Sequence, residues 1–451
     1  MSICSDIVSH SEKARIDECE AVFCSKKIIT IRITDSEITE IKENFEKTVG
    51  VRIIHKKRIS SIESTILEPK KLIDDALRAS KILTKREFWK SLPSYSKTTS
   101  LEKTNDVKIW EIDSSVALEI ADEMLDAAIH YKISKISGSL NIVCEDFELE
   151  NTSKMQRNEK STYISGVINA DSEEGNSPVS GIGQSSSRTL AGFDARRIGS
   201  EAAQMCISSI NPTICEAEST SVIFEPLAVG ELLTFVVGPN FGLKMYSENR
   251  SCFSEKLGEK IAVDEFSLVD DPHIPDCLGA KLFDDEGVPT RKNQLVQNGT
   301  FYSTHSDSYN AFKHGTESSG NACRPGSPLG RAATPIPVSA LHNLTVKSGT
   351  SSRDDVIKDT KKGILVSRLW YTYAVNPIKG DFSCTARSGI LIIENGEIKS
   401  PAKPVRIIHN LPIFLKNISA IADNSRTVLP WAAMPVSSPT IRCDGISTSP
   451  I

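Results

Sequence analysis

The sequence predicts an α+β protein rich in β-structure: an N-terminal region with a curved antiparallel sheet and two long helices, followed by a β-rich C-terminal domain. Three observations predict it. Short β-branched and apolar runs open the chain, two early segments repeat apolar residues at helical spacing, and past residue 215 the chain turns to short strands punctuated by Asn-Gly pairs.

Taken in order, Glu20–Cys24, Ile28–Ile33 and Val49–Ile54 read as short strands, the last leading into a basic turn at His55–Arg58. Pro69 then opens a helix over about 70–85. Its apolar face carries Leu72, Ile73, Ala76, Leu77 and Leu83, and the proline sits where a missing N–H costs nothing. Asp113 or Ser114 caps a second helix whose face carries Val116, Ile120, Met124, Leu125 and Ile129. Strand-like segments return from Ile136 to Ile168. The Ser/Gly-rich stretch Asn176–Ser187 is expected to be a loop, because it offers little to bury. Phe193–Cys206 has helical periodicity, and Pro212 ends it. The expected division is residues 1–110, 111–215 and 216–451. Asn298-Gly299 and Asn395-Gly396 each lie between apolar runs and predict two β-hairpins, whereas Gly320–Pro337 is expected to be an exposed loop.

Composition narrows the function classes. The 451 residues suffice for two or three domains, and 53 basic against 58 acidic residues leave a net charge of -5 with no basic block to track a phosphate backbone. Direct nucleic-acid binding is not expected. With no apolar run long enough for a bilayer and no secretory signal, the protein is expected to be soluble, cytoplasmic and free of membrane contact. Eleven cysteines without a Cys-x-x-Cys pair are expected to be reduced and buried. No nucleophile elbow, Walker loop or dinucleotide turn occurs.

Several ordered motifs carry a family resemblance. Lys256-Leu-Gly-Glu-Lys-Ile261, the segments LVDDPHIP, LFDDEGVPTRK and QNGTFYSTHSDSYNAFKHG, SSGNACR at 318–324, Gly380-Asp-Phe-Ser383 and Gly389–Gly396 together resemble the core of the TldD/PmbA family. Asp17–Glu20 and Val49–Ile54 are similar to its N-terminal domain, so the resemblance spans nearly the whole chain. The active branch of that family is marked by a His-Glu-x-x-x-His helix after a Gly-x-Leu-Leu stretch. Here Gly230-Glu-Leu-Leu233 is followed by Thr234 and Phe235 at the positions of the first His and the Glu, and by Pro239 at the second His. The active branch also uses a Cys near its C-terminus, yet Asp423–Pro435 holds none. Pro239 is further expected to end the helix by Gly238-Pro239.

The resemblance therefore implies a zinc-less, PmbA/TldE-type chain. It implies no catalytic residue, metal ligand or cofactor in this chain, a zinc-bearing TldD-like subunit as heterodimer partner, and an unfolded polypeptide or peptide as substrate. Alternative readings are a stand-alone peptide-binding or assembly protein (homodimer) without protease activity, and a metallopeptidase using substitute ligands such as His305, His314 or the Asp pairs. Candidates for substrate or partner binding are Asp284, Asp285, Glu286, Arg291, Asn321 and Arg324. The acids could cluster round a hard cation or cap turns, and turn-capping is the favoured reading. The arginines could clamp a carboxylate or form rim salt bridges.

Overall fold

The two early runs join into one long strand, β1 (Glu18–Thr34), in the computed structural model, which describes residues 2–216, 218–431 and 434–451. With β2 (Glu37–His55), β3 (Arg58–Ser64), β4 (Lys135–Asn151), β5 (Gln156–Ser172) and β6 (Val179–Ser187) it forms a six-stranded antiparallel sheet, ordered β3-β2-β1-β4-β5-β6. Side chains alternate between the faces of a strand. Cys19, Ala21, Ile29, Ile31 and Ile33 of β1 face a layer of helices, while Val22, Cys24 and Ile28 meet Phe283, Ala333, Leu278 and Leu329 from the C-terminal half. Both faces of β1 are thus covered, which is why it reads as apolar with little alternation.

The helical layer follows the local rules. α1 (Ile3–Lys13) and α2 (Pro69–Ser80) cover the β2 end, and α2 starts at its proline but stops short of residue 85. After the short α3 (Val107–Trp110), α4 (Ser114–Asp126) is capped by Asp113, whose carboxylate accepts from the N–H groups of Ser115 and Val116. Asp194 caps α5 (Ala195–Ser208) in the same way.

One expectation is corrected here. Most of the Ser/Gly-rich stretch forms β6, paired with β5 from Ile164↔Ser187 to Ser172↔Val179. Small residues serve packing at this point, since a Cβ on Gly183 would lie 1.9 Å from the Ile198 carbonyl oxygen of α5. The helix backbone rests directly on the strand.

Beyond residue 217 the described chain builds two large sheets and one two-stranded sheet. β7 (Glu218–Phe224), β14 (Lys362–Asn376), β15 (Asp381–Glu394), β17 (Val405–Asn410) and β21 (Ile441–Pro450) close on themselves, because β14 pairs with both β7 and β15. Phe224, Phe382 and Phe414 pack edge-to-face within this barrel at 5.7 and 6.2 Å. A second sheet runs β10 (Thr300–Phe301), β9 (Asn293–Gln297), β8 (Leu268–Asp270), β13 (Leu344–Val346), β20 (Val436–Ser438) and β19 (Arg426–Val428). The two Asn-Gly pairs sit at positive φ in the β9–β10 turn and in the turn from β15 to β16 (Glu397–Pro401). Among the described residues no helix is long and apolar enough to cross a membrane.

The segment Gly320–Pro337 departs from its expected exposure. It carries the buried Asn321, Arg324, Arg331 and Ala333 and packs against the six-stranded sheet. Its Gly, Pro and Ser content reflects a tightly bent path between polar partners rather than solvent exposure.

Candidate functional site

A cavity of about 700 Å³ opens between the β2–β3 end of the first sheet and the C-terminal half. One wall is the helix that follows β7. α6 (Pro226–Leu232) begins at a proline, then Leu233–Val237 widens into a π turn in which the Gly238 N–H donates to the Leu233 carbonyl, five residues back. A 3₁₀ turn over Gly238–Phe241 follows, with Pro239 near its start. The α and π winding therefore ends at Val237, as the proline predicts, and the chain coils on only as this short 3₁₀ turn. Proline is accommodated because the first turn of a helix leaves its N–H groups unbonded anyway.

This winding decides which side chains reach the cavity. Five residues on an α-helix fall about 140° off one face, yet Thr234 and Pro239 both line the cavity, while Phe235 packs on the barrel core. The π turn brings positions 234 and 239 to the same wall. The Thr234 hydroxyl is buried there without a hydrogen-bond partner. Beside the segment that follows Pro239 stands His305, its main chain bonded to Phe241 and Leu243 and its Nδ1 2.9 Å from the Ser339 Oγ. Burial pushes His305 down to about 4, with Asp270 opposing, so the ring is neutral at pH 7. Asp307 lines the same cavity and caps α8 (Ser308–Lys313), accepting from the Asn310 N–H at 2.7 Å.

The donor set does not fit zinc. Threonine, phenylalanine and proline stand at the three positions, and none supplies the imidazole or carboxylate such a site takes. Among the described residues no group of three or more His, Cys, Asp or Glu could hold a metal ion.

The six candidate binding residues lie elsewhere, and none lines the cavity. Five are buried in a polar network beneath the first sheet, and only Arg291 is exposed, donating to the Ser318 carbonyl. Asp284 caps a turn, accepting from the N–H groups of Glu286, Val288 and Ala322; burial and Glu286 push it well above the usual carboxylate range. Asp270 likewise accepts from the N–H groups of His342 and Asn343, and its other oxygen takes the Asn321 amide at 2.7 Å. Burial would raise Asp285, but Lys281 at 3.0 Å and Arg331 at 2.8 Å hold it below its ordinary value. Against the same burial cost, Arg52 at 2.9 Å holds Glu286 down. Arg324 spans Glu20 and the Asp285 main chain, so it is an internal tie rather than a rim salt bridge.

Sequence reasoning missed Glu20, Arg52, Glu145 and Arg331, which complete that network. A signal for Glu20 and Lys26 was present, since they share the parity of Val22, Cys24 and Ile28 and so face inward on β1. The cavity-lining Arg86, Lys244, Tyr309 and Ser339 carry no local motif. Ten of the eleven cysteines are buried.

An antiparallel sheet under helices is joined here to a strand barrel, and both parts match domains of the PmbA/TldA metallopeptidases. The C-terminal domain of that family matches residues 217–450 and its domain 1 matches residues 19–80, so this chain belongs to the PmbA/TldD family. It is 25% identical over 416 residues to a metalloprotease of Methanocaldococcus jannaschii, covering 88% of this chain and 87% of that one. It is 23% identical over 430 residues to the metalloprotease PmbA of Escherichia coli O157:H7, covering 91% and 88%. The crystal structure of TldE from Thermococcus kodakarensis shares the fold with a TM-score of 0.88 at 24% identity, covering 99% of this chain and 100% of that one.

Proposed function

We propose that this chain is the PmbA/TldE-type, non-catalytic subunit of a TldD/TldE-like metalloprotease complex, and that it holds unfolded polypeptide or peptide while a zinc-bearing TldD-like partner cleaves it. The observation that carries the reading is the wall of the cavity: the backbone winding that aligns positions 234 and 239 is present, and the side chains there are Thr234 and Pro239. A cavity wall with these side chains supports a role in holding substrate rather than in metal chemistry.

Polypeptide holding is supported by β12 (Val338–Ser339), which pairs on one side with β11 (Ala322–Cys323) and lines the cavity on the other. The Ala340 N–H donates to the Asn321 carbonyl, so the alternation of an antiparallel ladder directs the amide and carbonyl of Ser339 to the open edge. An extended peptide can add there as a strand, its main chain supplying affinity with little sequence preference.

The test is zinc content and casein hydrolysis for the chain alone, then mixed with the His-Glu-x-x-x-His protein of the same organism. Hydrolysis confined to the zinc-containing mixture, and higher there than with the partner alone, is the expected result. Chelator-sensitive hydrolysis by the chain alone overturns the proposal.

A further inference from the structure

The charge lining the cavity is uneven in a way the overall balance does not anticipate. The chain carries a net charge of -5, yet three cations line the cavity: Arg52, Arg86 and Lys244. Arg52 is spent, bound at 2.9 Å to both Glu20 and Glu286. The lining carboxylate, Asp307, is spent on capping α8 and on the Asn310 side chain at 2.8 Å. Among the described residues, Arg86 and Lys244 have no carboxylate within ion-pair distance. The acid near Lys244 is Glu248, already held by Lys313 at 2.6 Å and Arg250 at 3.8 Å.

Arg86 is also held in place. Its own N–H donates to the Lys57 carbonyl at 2.7 Å, Phe88 packs edge-on against Tyr309 at 5.1 Å, and the buried Trp89 packs against Phe312 at 5.6 Å. Lys57 Nζ donates to the Trp89 carbonyl and Arg58 Nε to the Leu83 carbonyl, so the segment carrying Arg86 is pinned to the β2–β3 turn. Lys244 approaches from the C-terminal half on α7 (Leu243–Ser247). Apolar side chains line the same cavity, among them Ile59, Val338 and Leu341.

We propose that Arg86 and Lys244 form a carboxylate-recognising subsite, which takes an acidic group of an apolar extended peptide as its main chain pairs with β12. This rests on the polypeptide-holding reading and names its substrate class: peptides that present either a free C-terminal carboxylate or an Asp or Glu side chain. A guanidinium and an ammonium lining one cavity suit a carboxylate delivered at the end of a strand, the fork fixing orientation and the ammonium adding charge.

The experiment is fluorescence anisotropy on the full chain with labelled peptides of one apolar sequence in four forms: free acid, C-terminal amide, amide with one internal Glu, and amide with Gln there. The free acid or the Glu peptide binds about fivefold or more tightly than the Gln amide at low salt, as two partly exposed ion pairs allow. That advantage shrinks at high salt. The favoured peptide identifies which source of carboxylate is read. In Arg86→Gln/Lys244→Gln, both exposed positions, the advantage disappears while the amide still binds. Equal affinity for all four forms, or a preference that survives the double substitution, overturns the subsite and leaves polypeptide holding intact. Binding by no peptide overturns both.

Discussion

Arg331 is where the N-terminal sheet and the C-terminal half are most strongly tied. Its guanidinium reaches Glu145 of β4 at 3.3 Å, Glu159 of β5 at 2.6 Å and Asp285 at 2.8 Å, and lies over the Phe147 ring at 4.7 Å. Arg331→Met keeps much of the apolar stem but leaves three carboxylates with two remaining ammonium partners, Lys26 at 3.8 Å from Glu145 and Lys281 at 3.0 Å from Asp285. Removing one partner from a buried ion pair costs about 3–5 kcal/mol, because the charge left behind has lost its water as well as its counterion. That range is the expected loss at pH 7, read from urea unfolding followed by tryptophan fluorescence. The pH dependence supplies a second check. In the native chain Asp285 is held below its ordinary value, so its contribution is present above the unfolded pKa of about 4 and is lost only as pH falls through the depressed one. In the variant an uncompensated carboxylate has a raised folded pKa. Its penalty is absent below about pH 4 and grows as pH rises through that raised value. The deficit of Arg331→Met therefore narrows from pH 7 towards pH 4, and Arg331→Lys, which keeps the charge but not the three-way fork, falls between. A variant as stable as the native chain at pH 7, with a parallel pH profile, would refute the reasoning.

Two further predictions concern the helix that follows β7. Burial pushes Glu231 up to about 7, with Arg368 opposing, so the native chain should lose stability as pH rises from about 4 through 7, by up to about 3 kcal/mol. Glu231→Gln should flatten that slope in thermal unfolding between pH 5 and 9, and an unchanged slope would place the titrating group elsewhere. Thr234→His/Phe235→Glu/Pro239→His should bind zinc more tightly than the native chain, measured by metal analysis after dialysis, because the π turn already brings positions 234 and 239 to one wall. A folded triple variant with no gain in zinc would show that the turn alone does not align the pair.

How far the sequence could be read depended on the range of the interactions. α2, α4 and α5 were legible because their causes are local: a first-turn proline, caps at Asp113 and Asp194, and apolar residues on one face. The Asn-Gly turns were legible for the same reason. β6 was not, because Gly181 and Gly183 mean a loop by composition and a helix–strand approach by contact, and the contacting carbonyls of Ala202 and Ile198 belong to another element. The acidic run Asp284–Glu286 had the residue types of a surface site. Its counter-charges come from Arg52, Lys281 and Arg331, Arg324 adds a main-chain N–H to Asp285, and the tie between Arg324 and Glu20 spans 304 residues. Lys281, four residues before Asp285, lies within a short window; the arginines do not.

The wall of the cavity combines both limits. Thr234, Phe235 and Pro239 could be read from the sequence against the family motif, and the stop predicted from the proline rests on an α-helix, in which residue 239 would owe an N–H to the carbonyl of residue 235. The π turn removes that debt by ending the α-helical ladder before Pro239, and the 3₁₀ turn then receives the proline near its start. The winding that receives Pro239 also leaves Thr234 and Pro239 facing the cavity, where neither side chain supplies an imidazole or a carboxylate. Backbone shape and metal chemistry are therefore separate questions here: the same cavity is lined by β12 and by Arg86 and Lys244, which among the described residues have no carboxylate within ion-pair distance.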